Sequence, residues 1–169
     1  MEALEKNHLP KFEDITLGNA QILTDLRLRI GNDKTPEELV RKAHKFATDP
    51  NRKAIISMEG DVPTGFVEMM IESSDLHQDS PAIDLEGLAH IVRIAVVEQY
   101  RRRGIGEALM NQADEWAKTH GKKGIWLDYL AANEKAGKLY EKLGYKDAVE
   151  FVDTKKKQKI RRVTVKYFS

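Results

Sequence analysis

The chain has 169 residues, 41% hydrophobic and 33% charged, which is length and apolar content enough for a single buried domain core. Its 28 Lys and Arg against 27 Asp and Glu leave a formal charge of +1, which argues against general nucleic-acid or membrane coating. Cysteine is absent, excluding disulfides, thiolate zinc sites, iron–sulfur clusters and a cysteine-bound acyl intermediate.

Met1 to Lys6 does not read as a signal peptide, and no apolar stretch reaches the ~18–20 residues of a spanning helix, so a soluble, cytoplasmic protein is expected. Phe12 to Thr16 reads as a short strand, and Ala20 to Ile30 places Ile22, Leu23, Leu26 and Ile30 at helical spacing. Thr35-Pro36-Glu37-Glu38 opens a second helix with a capping box, and Asp49-Pro50 closes it. Ala54 to Met58 and Gly65 to Ile71 read as strands joined through Gly60-Asp61-Val62-Pro63, followed by a polar loop from Ser73 to Asp84. Leu88 to Val97 is a near-continuous apolar run, as in a strand buried on both faces. A basic Gly-containing turn follows, then a helix with Ile105, Leu109, Ala113 and Trp116 on one face, stopped near Gly121. Gly124 to Tyr129 is the next strand, making a β-α-β unit with parallel strands. A helix over Asn133 to Leu143 and two strands, Asp147 to Val152 and Ile160 to Phe168, complete one α/β domain over residues 1–169 with a mixed sheet.

Charge is unevenly placed. Between Ala54 and Val92 there are eight acids (Glu59, Asp61, Glu68, Glu72, Asp75, Asp79, Asp84, Glu86) and no Lys or Arg. From Thr154 onward there are seven bases (Lys155, Lys156, Lys157, Lys159, Arg161, Arg162, Lys166) and no acid. These are either two solvated loops or an acidic substrate wall and an anion-facing hairpin.

The turn Gln99-Tyr100-Arg101-Arg102-Arg103-Gly104-Ile105-Gly106-Glu107 lies between a strand and a helix, where free N–H groups and the positive helix end favour an anion. It is neither G-x-G-x-x-G nor a P-loop. Arg101-x-x-Gly104-Ile105-Gly106 resembles the [Q/R]-x-x-G-x-[G/A] pyrophosphate loop of the GCN5-related N-acetyltransferases. Asn133-x-x-Ala136-x-x-x-Tyr140-x-x-x-Gly144-Tyr145 resembles that family's N-x-x-A-x-x-x-Y-x-x-x-G-[F/Y] segment. The two occur in the expected order, with Trp126-Leu127-Asp128 between them. One departure is Val97-Glu98 where many members have Asp-Pro.

The resemblance implies a splayed parallel strand pair flanked by helices, with acetyl-coenzyme A (acetyl-CoA) entering where the strands part. It assigns the cofactor to backbone groups of Ile94, Ala95 and Val96, to Arg101, Arg102, Arg103, Gly104, Ile105, Gly106 and Glu107, and to Asn133. Tyr140 matches the family's general-acid tyrosine; its alternative role is core packing with Ala136, Leu139 and Leu143. For the general base, His90 stands where arylalkylamine acetyltransferases use a histidine, and an ordinary pKa of ~6.5 suits it. Asp128 is the rival, matching an acidic position of ribosomal-protein alanine acetyltransferases, and Glu68 is a third candidate. His8, His44, His77 and His120 lack metal-ligand spacing, so no metal is expected.

The expected activity is direct acetyl transfer in a ternary complex to a primary amine. Glu68, Asp75, Asp79 and Asp84 would face a cationic small molecule such as a polyamine or aminoglycoside. The alternatives are a peptide or protein amine, N-terminal or lysine, and a non-catalytic acyl-CoA sensor. Neither nucleic acid nor membrane is expected as a partner, and the chain is taken as monomer or homodimer.

Overall fold

The computed structural model describes residues 10–31, 34–71 and 79–169. Its elements run β1 (Lys11–Asp14), α1 (Ala20–Ile30), α2 (Pro36–Thr48), β2 (Arg52–Glu59), β3 (Val62–Met70), β4 (Leu88–Val96), α3 (Ile105–Thr119), β5 (Gly124–Leu130), α4 (Glu134–Lys142), β6 (Lys146–Asp153) and β7 (Lys159–Tyr167). The strands form one seven-stranded sheet in the order β1-β2-β3-β4-β5-β7-β6. β4 and β5 are parallel, whereas β1 with β2, β5 with β7 and β6 with β7 are antiparallel, so the sheet is mixed as expected. The parallel ladder joins Leu88, Ala89 and His90 to Gly124, Ile125 and Trp126; beyond those rungs β4 runs on to Val96 and β5 to Leu130.

The chain divides into two compact units, Met1–Met69 with Val92–Ala113 and Met70–Ile91 with Asp114–Ser169. In the first, the capping box forms as its residues dictate. Thr35 Oγ1 accepts from the Glu38 N–H at 3.3 Å, and a Glu38 carboxylate oxygen accepts from the Thr35 N–H at 3.1 Å. The buried faces of α1 and α2 (Leu23, Leu26, Ala43, Phe46) meet Ile56, Phe66 and Val97 in one apolar cluster. β2 and β3 form a hairpin about Gly60-Asp61, tied internally by a 2.8 Å contact between the Ser57 and Thr64 hydroxyls.

In the second unit β5 pairs along its whole length with β7, from Gly124↔Tyr167 to Leu130↔Arg161. Because side chains alternate across a sheet, Trp126 and Asp128 share one face with Val165, Val163 and Arg161, and Tyr129 takes the other with Arg162. Leu88, Trp126, Phe151, Val163 and Val165 make the second cluster, against which Ile83 and Leu85 pack.

Three expectations change. The apolar run of β4 marks a strand but not two-sided burial: Val92 is 39% exposed, and Arg93–Val96 are only half-buried. β3 starts at Val62, two residues into the expected turn, and a short 3₁₀ turn at Glu98–Tyr100 follows β4 unannounced by the sequence. Half of the Ser73 to Asp84 loop, residues 73–78 with Asp75 among them, lies outside the described residues. Among the described residues no helix is long and apolar enough to cross a membrane.

Candidate active site

In the first unit, β4 leads through the Glu98–Tyr100 turn into Arg101–Gly104 and then α3. Arg102 and Gly104 adopt φ of 66° and 80°. That backbone costs an ordinary residue roughly 1–2 kcal/mol and glycine almost nothing. α3 begins on Gly104, whose carbonyl accepts from the Ala108 N–H at 3.0 Å. The cap position is therefore a residue without a side chain. Ile105, Gly106 and Glu107 supply first-turn N–H groups that have no acceptor within the helix, at the positive end of a 15-residue dipole. An anionic group fits this cradle.

The arginines beside it serve the protein as much as any ligand. Arg101 Nε donates to the Val96 carbonyl at 3.0 Å and braces the end of β4. Arg103 pairs with Glu59 at 3.4 Å and lies 5.2 Å over the Tyr100 ring. Just past β4, the Val97 N–H donates to the Thr64 carbonyl at 2.8 Å, and on β4 the Ala95 carbonyl oxygen would stand 2.8 Å from a β-carbon at Gly65. Ala95 and Val97 thus address β3, and by alternation the N–H and C=O groups of Ile94 and Val96 point away from it. Ile94 and the Val96 N–H are thus left facing away from β3, while the Val96 carbonyl is held by Arg101 and the Ala95 backbone is turned toward β3.

The second unit holds the chemistry-bearing side chains, on two opposite faces. His90, at the last rung of the parallel ladder, stacks flat on Trp126 with ring centroids 3.7 Å apart and planes within 2°. Two residues on along β5 and on the same face, Asp128 accepts from Arg161 Nη2 at 3.0 Å, the two side chains being 24% and 18% exposed. That pairing sets the rival base beside a permanent cation. Tyr140 is on the other face, edge-on to Tyr129 at 5.2 Å and 8% exposed. Burial, and secondarily Tyr129, push its phenol up to about 12, so it is a protonated donor at neutral pH. Asn133 caps α4, its Oδ1 accepting from the Ala136 N–H at 3.2 Å. A cavity of about 730 Å³ adjoins this face, lined by Tyr129, Asn133, Gly137, Tyr145, Asp147 and Arg162 among others, but not by Tyr140.

The acids expected to face an acceptor have structural engagements. Glu68 is 1% exposed and paired with Arg27 at 3.2 Å; burial pushes its carboxyl up against the pull of Arg27. It is enclosed in the first unit, not displayed on a wall. Asp79 accepts from both the N–H and hydroxyl of Thr154, at 2.9 and 2.8 Å. Asp84 accepts from the Glu86 N–H at 3.0 Å. Sequence reasoning missed Arg161 and Arg27 as partners of Asp128 and Glu68. Only the basic run after Thr154 hinted at the former, and nothing announced the latter. Among the described residues no group of three or more His, Cys, Asp or Glu is arranged to hold a metal.

An acetyltransferase (GNAT) family model matches residues 20–145. An N-alpha-acetyltransferase of Sulfurisphaera tokodaii is 36% identical over 96 residues, 55% of this chain and 55% of that protein. Streptothricin acetyltransferase A of Bacillus subtilis is 41% identical over 56 residues, 33% of this chain and 32% of that one. The matched stretches thus span about half the length of such curated relatives, or less. The crystal structure of Arabidopsis thaliana NAA60 in complex with acetyl-CoA superposes with a TM-score of 0.73 at 18% identity, covering 95% of this chain and 99% of that one, a likeness of fold. With the family model spanning the strand, glycine loop, helix and tyrosine segment just described, the chain belongs to the GNAT acetyltransferase family.

Proposed function

We propose that this protein transfers the acetyl group of acetyl-CoA directly to an amine, and that its acceptor is the α-amine of a peptide or protein. The observation that carries the reading is the distribution of proton-handling groups in the second unit. A base candidate and an acid candidate sit on opposite faces of the sheet, and His90 stands at the rung where the parallel ladder ends. Because direct transfer puts the amine nitrogen and the thiolate sulfur on one carbon, the two groups serve a single reaction where the parallel ladder ends, beyond the rung of His90 and Trp126.

Acetyl-CoA supplies an activated thioester. The first-turn N–H groups of Ile105, Gly106 and Glu107 would bind its pyrophosphate, with Arg102 and Arg103 adding positive charge and Arg101 holding β4 in place. Ile94 and Val96 would pair with its extended arm, and Asn133 would contact it beyond β5. His90 takes the proton that the acceptor ammonium must lose, directly or through water, and Tyr140 gives a proton to the departing thiolate. Asp128, held by Arg161, attracts and positions the ammonium more than it removes a proton.

The peptide reading is supported by the N-alpha-acetyltransferase relative and by the engagement of Glu68, Asp79 and Asp84 within the protein. The likeness to streptothricin acetyltransferase A favours a second reading, a small cationic amine. The test is thiol release from acetyl-CoA with peptides bearing a free α-amine, N-blocked peptides bearing lysine, spermidine and an aminoglycoside. The free α-amine peptides are expected to give the highest kcat/KM. A higher value for spermidine or the aminoglycoside overturns the peptide reading, and tight acetyl-CoA binding without release for any acceptor makes the chain a sensor.

A further inference from the structure

The β6–β7 turn is basic and is hydrogen-bonded at its base. Lys155, Lys157 and Lys159 are exposed, and among the described residues they form no ion pair. Asp153, 1% exposed, accepts from the N–H groups of Lys155 and Lys156 at 3.1 and 3.2 Å. Asp79 clamps Thr154 from the segment before β4. At the tip Lys157 and Gln158 both adopt φ of 56°, and the Lys159 N–H donates to the Lys156 carbonyl at 3.3 Å. A tight turn of this kind is ordinarily built from Asn-Gly. Here two long side chains occupy those positions, and the hydrogen bonds to Asp153 and Asp79 hold the base from which the lysines project.

The register places this turn on a line with the proposed amine site. Asp128 lies opposite Val163, and residues 163, 161 and 159 of β7 share a face. Along it His90, Asp128, Arg161 and Lys159 retain exposure, whereas Trp126, Val163 and Phe151 are buried. From Val163 to Lys159 is four residues, about 13 Å at ~3.3 Å per residue. The row starts with the Asp128 carboxylate, passes its partner Arg161, and ends in a group of cations.

Resting on the peptide reading above, we infer that the acceptor is dipolar. Its amine is taken at the His90–Asp128 end, and the turn lysines Lys155, Lys157 and Lys159 hold an acidic side chain about four residues along the extended peptide. The lysines act on binding and orientation, not on the transfer itself. Because the interaction is between exposed charges, it weakens with salt over a screening length of roughly 10 Å at 0.1 M.

The experiment uses the full chain, acetyl-CoA and three hexapeptides with a free N-terminal alanine, identical except for Asp, Asn or Lys at the fifth position, four residues on from the amine. The expected order of kcat/KM is Asp above Asn above Lys, about tenfold from first to last at low salt and carried by KM. The triple variant Lys155→Gln, Lys157→Gln, Lys159→Gln brings the Asp peptide to the KM of the Asn peptide, and glutamate at the same three positions inverts the order. Equal KM for the Asp and Lys peptides, or an Asp preference surviving in the triple variant, overturns the inference. Anisotropy of the same peptides carrying a C-terminal fluorophore separates it from the function proposal. Lysine-dependent binding of the Asp peptide without turnover supports the acidic site and sinks peptide acetylation. Displacement of the Asp peptide by a single-stranded RNA oligomer that binds more tightly through the same lysines assigns the turn to nucleic acid and overturns the acidic-peptide site.

Discussion

In the loop from Arg101 to Glu107 the groups offered to a ligand are backbone N–H groups, and the nearby arginines are largely turned onto Val96, Glu59 and Tyr100. On β4, β5 and α4 of the second unit the reverse holds: side chains carry the chemistry, His90 stacked on Trp126, Asp128 paired with Arg161 and Tyr140 pushed up by burial. A backbone site depends on where side chains are absent, so its sensitivity should be to added bulk. A side-chain site depends on specific partners, so its sensitivity should be to isosteric changes that preserve shape and remove a proton or charge.

Tyr140→Phe is the sharpest test of that contrast. It keeps the ring against Tyr129 and removes only the hydroxyl, so kcat should fall by ~10²–10⁴ with little change in Tm. With the phenol near 12, Tyr140 itself should put no break in the pH–rate profile between pH 6 and about 10. Full activity in this variant would return Tyr140 to packing.

His90→Gln is expected to cost roughly 10²-fold in kcat/KM. Asp128→Asn should cost less, because Arg161 already balances the carboxylate. If the two losses come in the opposite order, the base is Asp128 and the arginine is its regulator.

On the backbone side, Gly106→Val should raise the Kd for acetyl-CoA by about 10–100-fold, the worth of one charge-assisted hydrogen bond at ~1.5–3 kcal/mol. Arg102→Ala, at an exposed position, should change it only a few-fold. Isothermal titration of both variants decides it: a larger loss for the arginine would mean that the loop reads its ligand through side chains after all.

The smallest effect concerns stability. Desolvation, then Lys34 and Arg27, bring the Lys42 amine from 10.5 down to about 8. The unfolded chain holds this proton more tightly, so Lys42 subtracts stability fully below pH 8 and ceases to do so as pH rises through 10.5. Lys42→Met should therefore raise Tm modestly at pH 7, and melts above pH 10.5 should show the gain gone. A gain independent of pH would trace to apolar packing instead of charge.

The sequence alone determined the elements whose causes are local. The Thr35–Glu38 capping box, the Pro36 helix start and the parallel strands joined across Gly104 were readable because each rests on residues within a few positions of one another. The Gly104–Gly106 spacing and the Asn133–Tyr140 segment likewise carried the family resemblance before any coordinates. Tertiary structure decided what depended on register. That Asp128 meets Arg161, 33 residues away, follows from the pairing of β5 with β7, and that Glu68 is enclosed with Arg27, 41 residues away, follows from the packing of α1 on β3. A list of acids and bases fixes net charge, but a strand pairing places them on a face. A one-residue slip would have turned Arg162 toward Asp128 and sent Arg161 to the other side of the sheet.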